Sequence, residues 1–301
     1  MRIFVTGASG FVGRAFCAAA SGRGHEILGL CRSAGVRLPG GCRVAVGSLE
    51  QMSWEQVERF RPEAVLHLAW LTTPGVYLSS PQNAVLVEQS RTLFRGLSEL
   101  GVRHLAGVGT CIEYAASDRL LHETHSPLRP LFAYSKAKVE LSAWLRDWCA
   151  EKTVPWTWFR IFYPYGPGED PRRLTSCLFE HLRQGSRMTL QTPGSVKDYI
   201  YITDLAEALC MALEKRLTGP VNLGSGQGVA IQELAKLMAE LAGADPRLIE
   251  PAIPPPHDPN PNVVADISKI LSTGWTPQTS LRFGLDEFIA SARHEPAAAH
   301  E

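Results

Sequence analysis

A chain of 301 residues, 45% of them apolar, is long enough for one large α/β domain with an appendage, or for two ordinary domains, around a sizeable core. The 30 Lys+Arg cancel the 30 Asp+Glu and no block of like charge occurs, so bulk attraction to nucleic acid or to an anionic membrane is excluded and a small-molecule partner is expected. The N-terminus lacks a secretory pattern, no apolar stretch is long enough for a membrane span, and the 7 cysteines are scattered without CxxC spacing; a cytoplasmic protein with reduced thiols and no metal site is expected.

In chain order, short apolar strands are predicted at 2–6, 26–31, 43–46, 64–69, 105–109 and 156–162. Helical spacing of apolar residues at 11–21, 54–60, 81–100 and 131–151 falls between them. This alternation predicts an α/β fold with a doubly wound parallel sheet. After Tyr165 the Gly/Pro-rich GPGEDPRR marks a departure into a smaller C-terminal lobe. Helices are predicted at 200–214 and 231–241, a rigid surface loop at PAIPPPHDPNPN, and a fraying tail at 294–301. The expected division is a cofactor domain over 1–165, with returns near 196–224 and 258–270, and a substrate lobe over 166–195 and 225–293.

The first strand runs into Gly7-Ala8-Ser9-Gly10-Phe11-Val12-Gly13, and a helical pattern follows at once. Missing side chains let the chain turn tightly and let backbone N–H groups approach a pyrophosphate at the positive end of that helix. At the end of the second strand, Arg32-Ser33 stand where a NAD enzyme places an acid for the ribose 2′-hydroxyl. A guanidinium there can bind a 2′-phosphate, so NADP(H) is the expected cofactor, with NAD(H) as the alternative. Tyr134 and Lys138 lie four apart in a helical pattern and share a face, where the ammonium is expected to lower the phenol pKa toward a range useful for proton transfer.

The loop TGxxGxxG, the pair Tyr134/Lys138 and the segments GTCIEY, RIFYPYGPGE, KDYIYITDLAEA and NLGSG together resemble the extended short-chain dehydrogenase/reductases, the NAD-dependent epimerase/dehydratase family. The resemblance covers nearly the whole chain and implies a Rossmann fold. It also implies a catalytic set of Thr110, Tyr134 and Lys138, in which Thr110 steadies the substrate oxygen. It assigns cofactor contacts to Gly7, Ser9, Gly10, Phe11, Val12, Gly13, Arg32, Ser33, Ser48, Leu49, Leu68, Ala69, Trp70, Tyr134, Lys138 and Tyr163. Substrate contacts are expected from Thr72, Thr110, Cys111, Tyr114, Arg172, Arg173, Lys197 and His257. His67 is expected to be a packed strand histidine and not a catalyst. The chain departs from the family pattern in four places: Gly47-Ser48-Leu49 lacks the usual Asp that contacts the adenine, Tyr163 replaces an Asn, Lys197 an Arg, and Pro255 falls roughly where an Arg holds a diphosphate.

The resemblance implies a nucleotide-linked sugar as substrate. HLAW, Pro74-Gly75 and GTCIEY look most like sugar-nucleotide 4-ketoreductases of the CDP-abequose synthase type, and a reduction of a 4-keto-6-deoxy sugar nucleotide by NADPH is expected. Dehydratases carry Asp and Glu directly after the catalytic Thr, whereas Cys111 and Ile112 stand here and Glu113 is displaced by one, which disfavours dehydration. A NAD-dependent 4-epimerase is the alternative reaction. A NADP(H)-sensing regulatory protein is the alternative class, and it has no need of a Tyr/Lys pair. The helices at 81–100 and 131–151 are those that relatives bury across a two-fold axis, so a homodimer is expected.

Overall fold

The structure, a computed structural model, describes residues 1–294. In chain order the strands are β1 (Arg2–Thr6), β2 (Glu26–Cys31), β3 (Arg43–Val46), β4 (Ala64–His67), β5 (His104–Thr110), β6 (Trp156–Ile161), β7 (Tyr163–Tyr165), β8 (Met188–Leu190), β9 (Val196–Tyr201), β10 (Gly219–Leu223), β11 (Gly228–Ala230), β12 (Ile249–Pro251) and β13 (Asn262–Val263). The helices are α1 (Phe11–Gly22), α2 (Trp54–Phe60), α3 (Gln82–Glu99), α4 (Ala133–Lys152), α5 (Leu174–Gln184), α6 (Ile202–Glu214), α7 (Ile231–Ala242), α8 (Ser268–Leu271) and α9 (Leu281–His294). The tail expected at 294–301 lies outside the described residues, apart from His294 at the end of α9.

Seven parallel strands form the main sheet in the order β10-β6-β5-β4-β1-β2-β3. Runs such as Ile3–Val5 and Ala64–Leu66 are buried without alternation, as strands covered on both faces must be. On one face α1 and α6 pack Phe16, Cys17, Leu205 and Leu209 against the sheet. On the other, α3 and α4 supply Leu93, Phe94, Leu141 and Leu145 around Trp158. Each such side chain contributes about 1.5–3 kcal/mol on burial, and Phe94→Ala would cost about 3–5 kcal/mol. The strand order reverses between β1 and β4, which opens a crevice beyond their carboxyl ends. The register Thr6↔His67 brings the glycine loop and the end of β4 side by side at that crevice.

The predicted helix at 200–214 begins instead at Ile202, because Ile200 and Tyr201 belong to β9. A buried strand has no alternation to distinguish it from a helix start. Strand β9 pairs with β7, β11 and β13 in a small second sheet, and α5, α7 and α9 enclose a separate apolar cluster around Phe179, Leu234 and Leu285. No helix of the described residues is long and apolar enough to cross a membrane.

Candidate active site

In the loop after β1, Gly7 has φ +68°, and a Cβ there would lie 2.8 Å from Ala69 N and 2.9 Å from Leu68 C. At Gly13 a Cβ would meet Gly7 O at 2.1 Å, so the close packing of α1 on the loop requires glycine. Gly10 precedes α1 with no side chain capping the helix, which leaves first-turn amides at its positive end for an anion. Ser9 is exposed, and Phe11 and Val12 are half-buried beside it. These residues fit the pyrophosphate of a dinucleotide, since any side chain at Gly7 or Gly13 would close the cradle.

A hydrogen-bonded chain fixes the opposite wall. Thr6 Oγ1 accepts the Ala69 N–H at 3.1 Å and, because the neutral ring of His67 must spend its only N–H on Ser90, donates to His67 Nδ1 at 2.7 Å. His67 Nε2 then donates to Ser90 Oγ at 2.8 Å, which donates to Leu86 O at 2.6 Å. Burial, helped by the nearby Lys138 charge, pushes the imidazole down to about 3, so His67 is a neutral packed histidine, as expected. Beyond β2, Arg32 is exposed and its side chain makes no bond among the described residues, while Ser33 Oγ accepts the Gly35 N–H. Ser48 closes a turn by accepting the Gln51 N–H at 3.0 Å, and Leu49 packs against the core.

Tyr134 and Lys138 lie one turn apart in α4 and are both nearly buried. Lys138 Nζ donates to Val108 O at 2.7 Å, two residues before Thr110 in β5, and sits 3.5 Å from the centroid of the Trp70 ring. Burial pushes its ammonium down to about 7, opposed by the Glu113 carboxylate. The Tyr134 ring stands edge-on to Tyr77 at 4.9 Å, and its hydroxyl makes no hydrogen bond among the described residues. Burial first, then Tyr77, Glu113 and Cys111, raise the phenol above its ordinary range. The expected lowering by Lys138 is therefore not realised here. Desolvation dominates, and the ammonium is held by the Val108 carbonyl and the Trp70 face, 5.8 Å from the Tyr134 ring centroid.

Thr110 caps the turn Cys111–Glu113: its N–H donates to Glu113 Oε1 at 2.9 Å and its hydroxyl accepts the Ile112 N–H at 3.5 Å. Glu113 is wholly buried and paired with Arg160 at 2.7 Å, so it is not a free acid or base. Gly109 is needed there, because a Cβ would lie 2.0 Å from Glu113 Oε1.

On the substrate side the expectations divide. Arg173 donates to Thr72 O at 3.0 Å with its guanidinium 5.4 Å from the ring of Tyr77, which stands edge-on to Tyr134. Tyr163 is half-buried beside Tyr199. Cys111 is buried, with its thiol pushed up to about 12. Four expected substrate groups are engaged or displaced elsewhere. Tyr114 turns inward, donating to Asn222 Oδ1 at 2.7 Å and accepting from Arg160 at 2.9 Å. Lys197 is buried, bonded to Asn260 O and paired with Asp258 at 2.9 Å, which neutralises it. Arg172 is exposed and held by both oxygens of Asp170, and His257 is exposed on the Pro-rich loop. Sequence reasoning missed Tyr77, Asn83 and Asp258 as site residues, and saw Glu169 only as the last letter of RIFYPYGPGE. It saw Arg160 only as one letter of a motif.

The family model described as "NAD dependent epimerase/dehydratase family" matches residues 3–224. The chain belongs to this family. Among its relatives, UDP-glucose 4-epimerase of Corynebacterium glutamicum is 26% identical over 94% of this chain and 93% of its own. The dTDP-6-deoxy-L-talose 4-dehydrogenase (NAD(P)(+)) of Kitasatospora kifunensis is 25% identical over 99% of this chain and 97% of its own. Among solved structures, the UDP-glucose 4-epimerase of Thermus thermophilus in complex with NAD superposes with a TM-score of 0.83 at 27% identity, covering 98% of this chain and 99% of that one.

Proposed function

We propose that this enzyme reduces the keto group of a 4-keto-6-deoxy sugar nucleotide, with NADPH as reductant and Tyr134 as proton donor. The observation that carries the reading is the placement of the buried Tyr134 one turn before Lys138 on α4, with the ammonium bonded to Val108 O in the strand that ends at Thr110. The cofactor, when bound, supplies the hydride. Thr110 donates its hydroxyl hydrogen to the carbonyl oxygen, and Tyr134 gives that oxygen a proton as negative charge develops on it. Lys138 stabilises the phenolate that remains. The pairing of Glu113 with Arg160 supports reduction over dehydration, because no free carboxyl follows Thr110.

Arg32, exposed and unpaired among the described residues, supports a 2′-phosphate and hence NADPH. The name of the Kitasatospora relative, a 4-dehydrogenase using NAD(P)(+), points the same way. Residues 166–195 and 225–293 form the substrate lobe in this reading. A homodimer joined through α3 and α4 is part of it, with the stacked Trp144 and Trp148 on α4, and light scattering at micromolar protein would reveal it.

A second reading, a nucleotide-sugar 4-epimerase holding NAD, is favoured by the names of the Corynebacterium and Thermus relatives. One experiment separates the two. NADPH and a 4-keto-6-deoxy sugar nucleotide should be consumed one for one. Interconversion of 4-epimers with no net cofactor consumption would overturn the reductase in favour of the epimerase.

A further inference from the structure

Trp70 follows His67-Leu68-Ala69 at the end of β4, beside the lysine of the proton-transfer pair. Its indole N–H donates to Asn83 Oδ1 at 2.8 Å. Asn83 is only 2% exposed, and its Nδ2 donates to Tyr77 O at 2.8 Å and Ser80 O at 2.9 Å, which fixes the amide orientation and with it the indole. The loop that anchors the indole is thus the one that sets Tyr77 edge-on to Tyr134.

Lys138 Nζ has three donors and a single hydrogen-bond acceptor among the described residues, Val108 O. What covers the ammonium otherwise is aromatic. The Trp70 centroid lies at 3.5 Å, against 5.8 Å for Tyr134 and 6.0 Å for Trp158. A cation over an indole face is attracted by the ring quadrupole, and most strongly where water is excluded. The titratable groups facing Lys138 are Glu113 from the turn after β5, neutral His67 from β4, and Tyr134 from its own helix. Glu113 alone among them favours the ammonium, and its carboxylate is already paired with Arg160.

We propose that Trp70 is a positioning residue for Lys138: its indole face, fixed by Asn83, seats the ammonium and stabilises its charged form beside Tyr134. The inference rests on the reading of Tyr134 and Lys138 as the proton-transfer pair. A charged Lys138 is what steadies the phenolate after proton donation, so a residue that keeps it charged sets the alkaline limit of turnover.

The test is a titration of the cofactor-free protein carrying isotope-labelled lysine, with the Lys138 resonance assigned by its disappearance in Lys138→Met. In Trp70→Leu the midpoint should fall by about one pH unit, equivalent to a tenfold loss of charged form on the alkaline side. Trp70→Phe keeps an aromatic face with a weaker attraction for the cation than indole and should recover about half of that shift, leaving a measurable fall. The alkaline limb of kcat for NADPH oxidation should move with the midpoint in both variants. An unchanged midpoint in folded Trp70→Leu overturns the proposal. Should Trp70→Leu not fold, Trp70→Phe decides alone: a measurable fall supports the role, and a midpoint equal to that of the unsubstituted protein refutes it. A shifted midpoint in a protein inert toward keto sugars would sink the proposed reaction while leaving the role of Trp70 standing.

Discussion

Replacing Glu113 by Gln removes one charge from an almost dry pair, since the Glu113 and Arg160 side chains are 0% and 3% exposed. Glu113 Oε2 accepts from Arg160 Nε at 2.7 Å, while Oε1 accepts the Thr110 N–H at 2.9 Å and the Trp158 Nε1–H at 3.1 Å. Glutamine keeps one acceptor but turns an amide NH2 toward a guanidinium. The uncompensated buried cation should cost about 3–5 kcal/mol. Arg160→Met strands the carboxylate instead and should cost a similar amount. Glu113→Leu with Arg160→Met removes both charges, so its loss should fall short of the summed losses of Glu113→Leu alone and Arg160→Met alone by on the order of 3 kcal/mol. It should not return fully to the parent stability, because the Thr110 and Trp158 donors each lose an acceptor worth about 1–3 kcal/mol. Urea unfolding of the parent, Glu113→Leu, Arg160→Met and the double variant, followed by tryptophan fluorescence, measures this cycle, with Glu113→Gln read beside it. A loss below about 1 kcal/mol in Glu113→Gln, or strict additivity, would refute the reasoning. Because Glu113 holds the Thr110 backbone, kcat should fall in Glu113→Leu even where the protein is fully folded.

What the sequence disclosed was decided locally. The turn at Gly7–Gly13 joins adjacent elements, and the i,i+4 spacing of Tyr134 and Lys138 holds whatever else the chain does, so both were legible. Partners distant in sequence were not. Lys197 carries the charge expected for an anion site, but Asp258, 61 residues later, takes it up at 2.9 Å. The Tyr114 hydroxyl finds Asn222 at a separation of 108 residues and turns away from the cleft. Spacing placed the ammonium and the phenol on one face. It did not reveal that Val108 O and the Trp70 ring would hold Lys138 while burial raised the phenol. Ile200 and Tyr201, the end of β9, continue the helical spacing of α6 in the sequence because a buried run lacks a period-two signature. Glu113 was visible as a displaced acid, but its structural role depends on Trp158 and Arg160 in the neighbouring strand.

Tyr134→Phe removes one oxygen and keeps the ring against Tyr77, so kcat should fall by roughly 10²–10⁴ with NADPH affinity preserved; turnover equal to the parent would show that another acid donates. Arg32→Asp should weaken NADPH binding by about 1.5–3 kcal/mol, the range of a charged hydrogen bond, and tilt preference to NAD; cofactor titrations showing tighter NAD binding in the unsubstituted protein would contradict the role of Arg32. The remaining prediction concerns Glu169, a half-buried carboxyl bonded by the hydroxyls of Thr175 and Ser176. Burial outweighs those donors and raises it from 4.5 to about 7. An acid whose pKa is raised on folding binds more protons folded than unfolded between those two values. Its contribution to stability is therefore fully present below about 4.5 and is lost as pH rises through about 7, by at most about 3 kcal/mol. Glu169→Gln keeps an oxygen for Thr175 but cannot ionise. Its stability relative to the unsubstituted protein should therefore climb between about pH 5 and about pH 8, by up to that same amount. Unfolding by urea at a series of pH values reads the difference directly. A difference that stays flat across the window would mean that Glu169 titrates alike in the folded and unfolded chains, and that its burial by α5 carries no electrostatic cost.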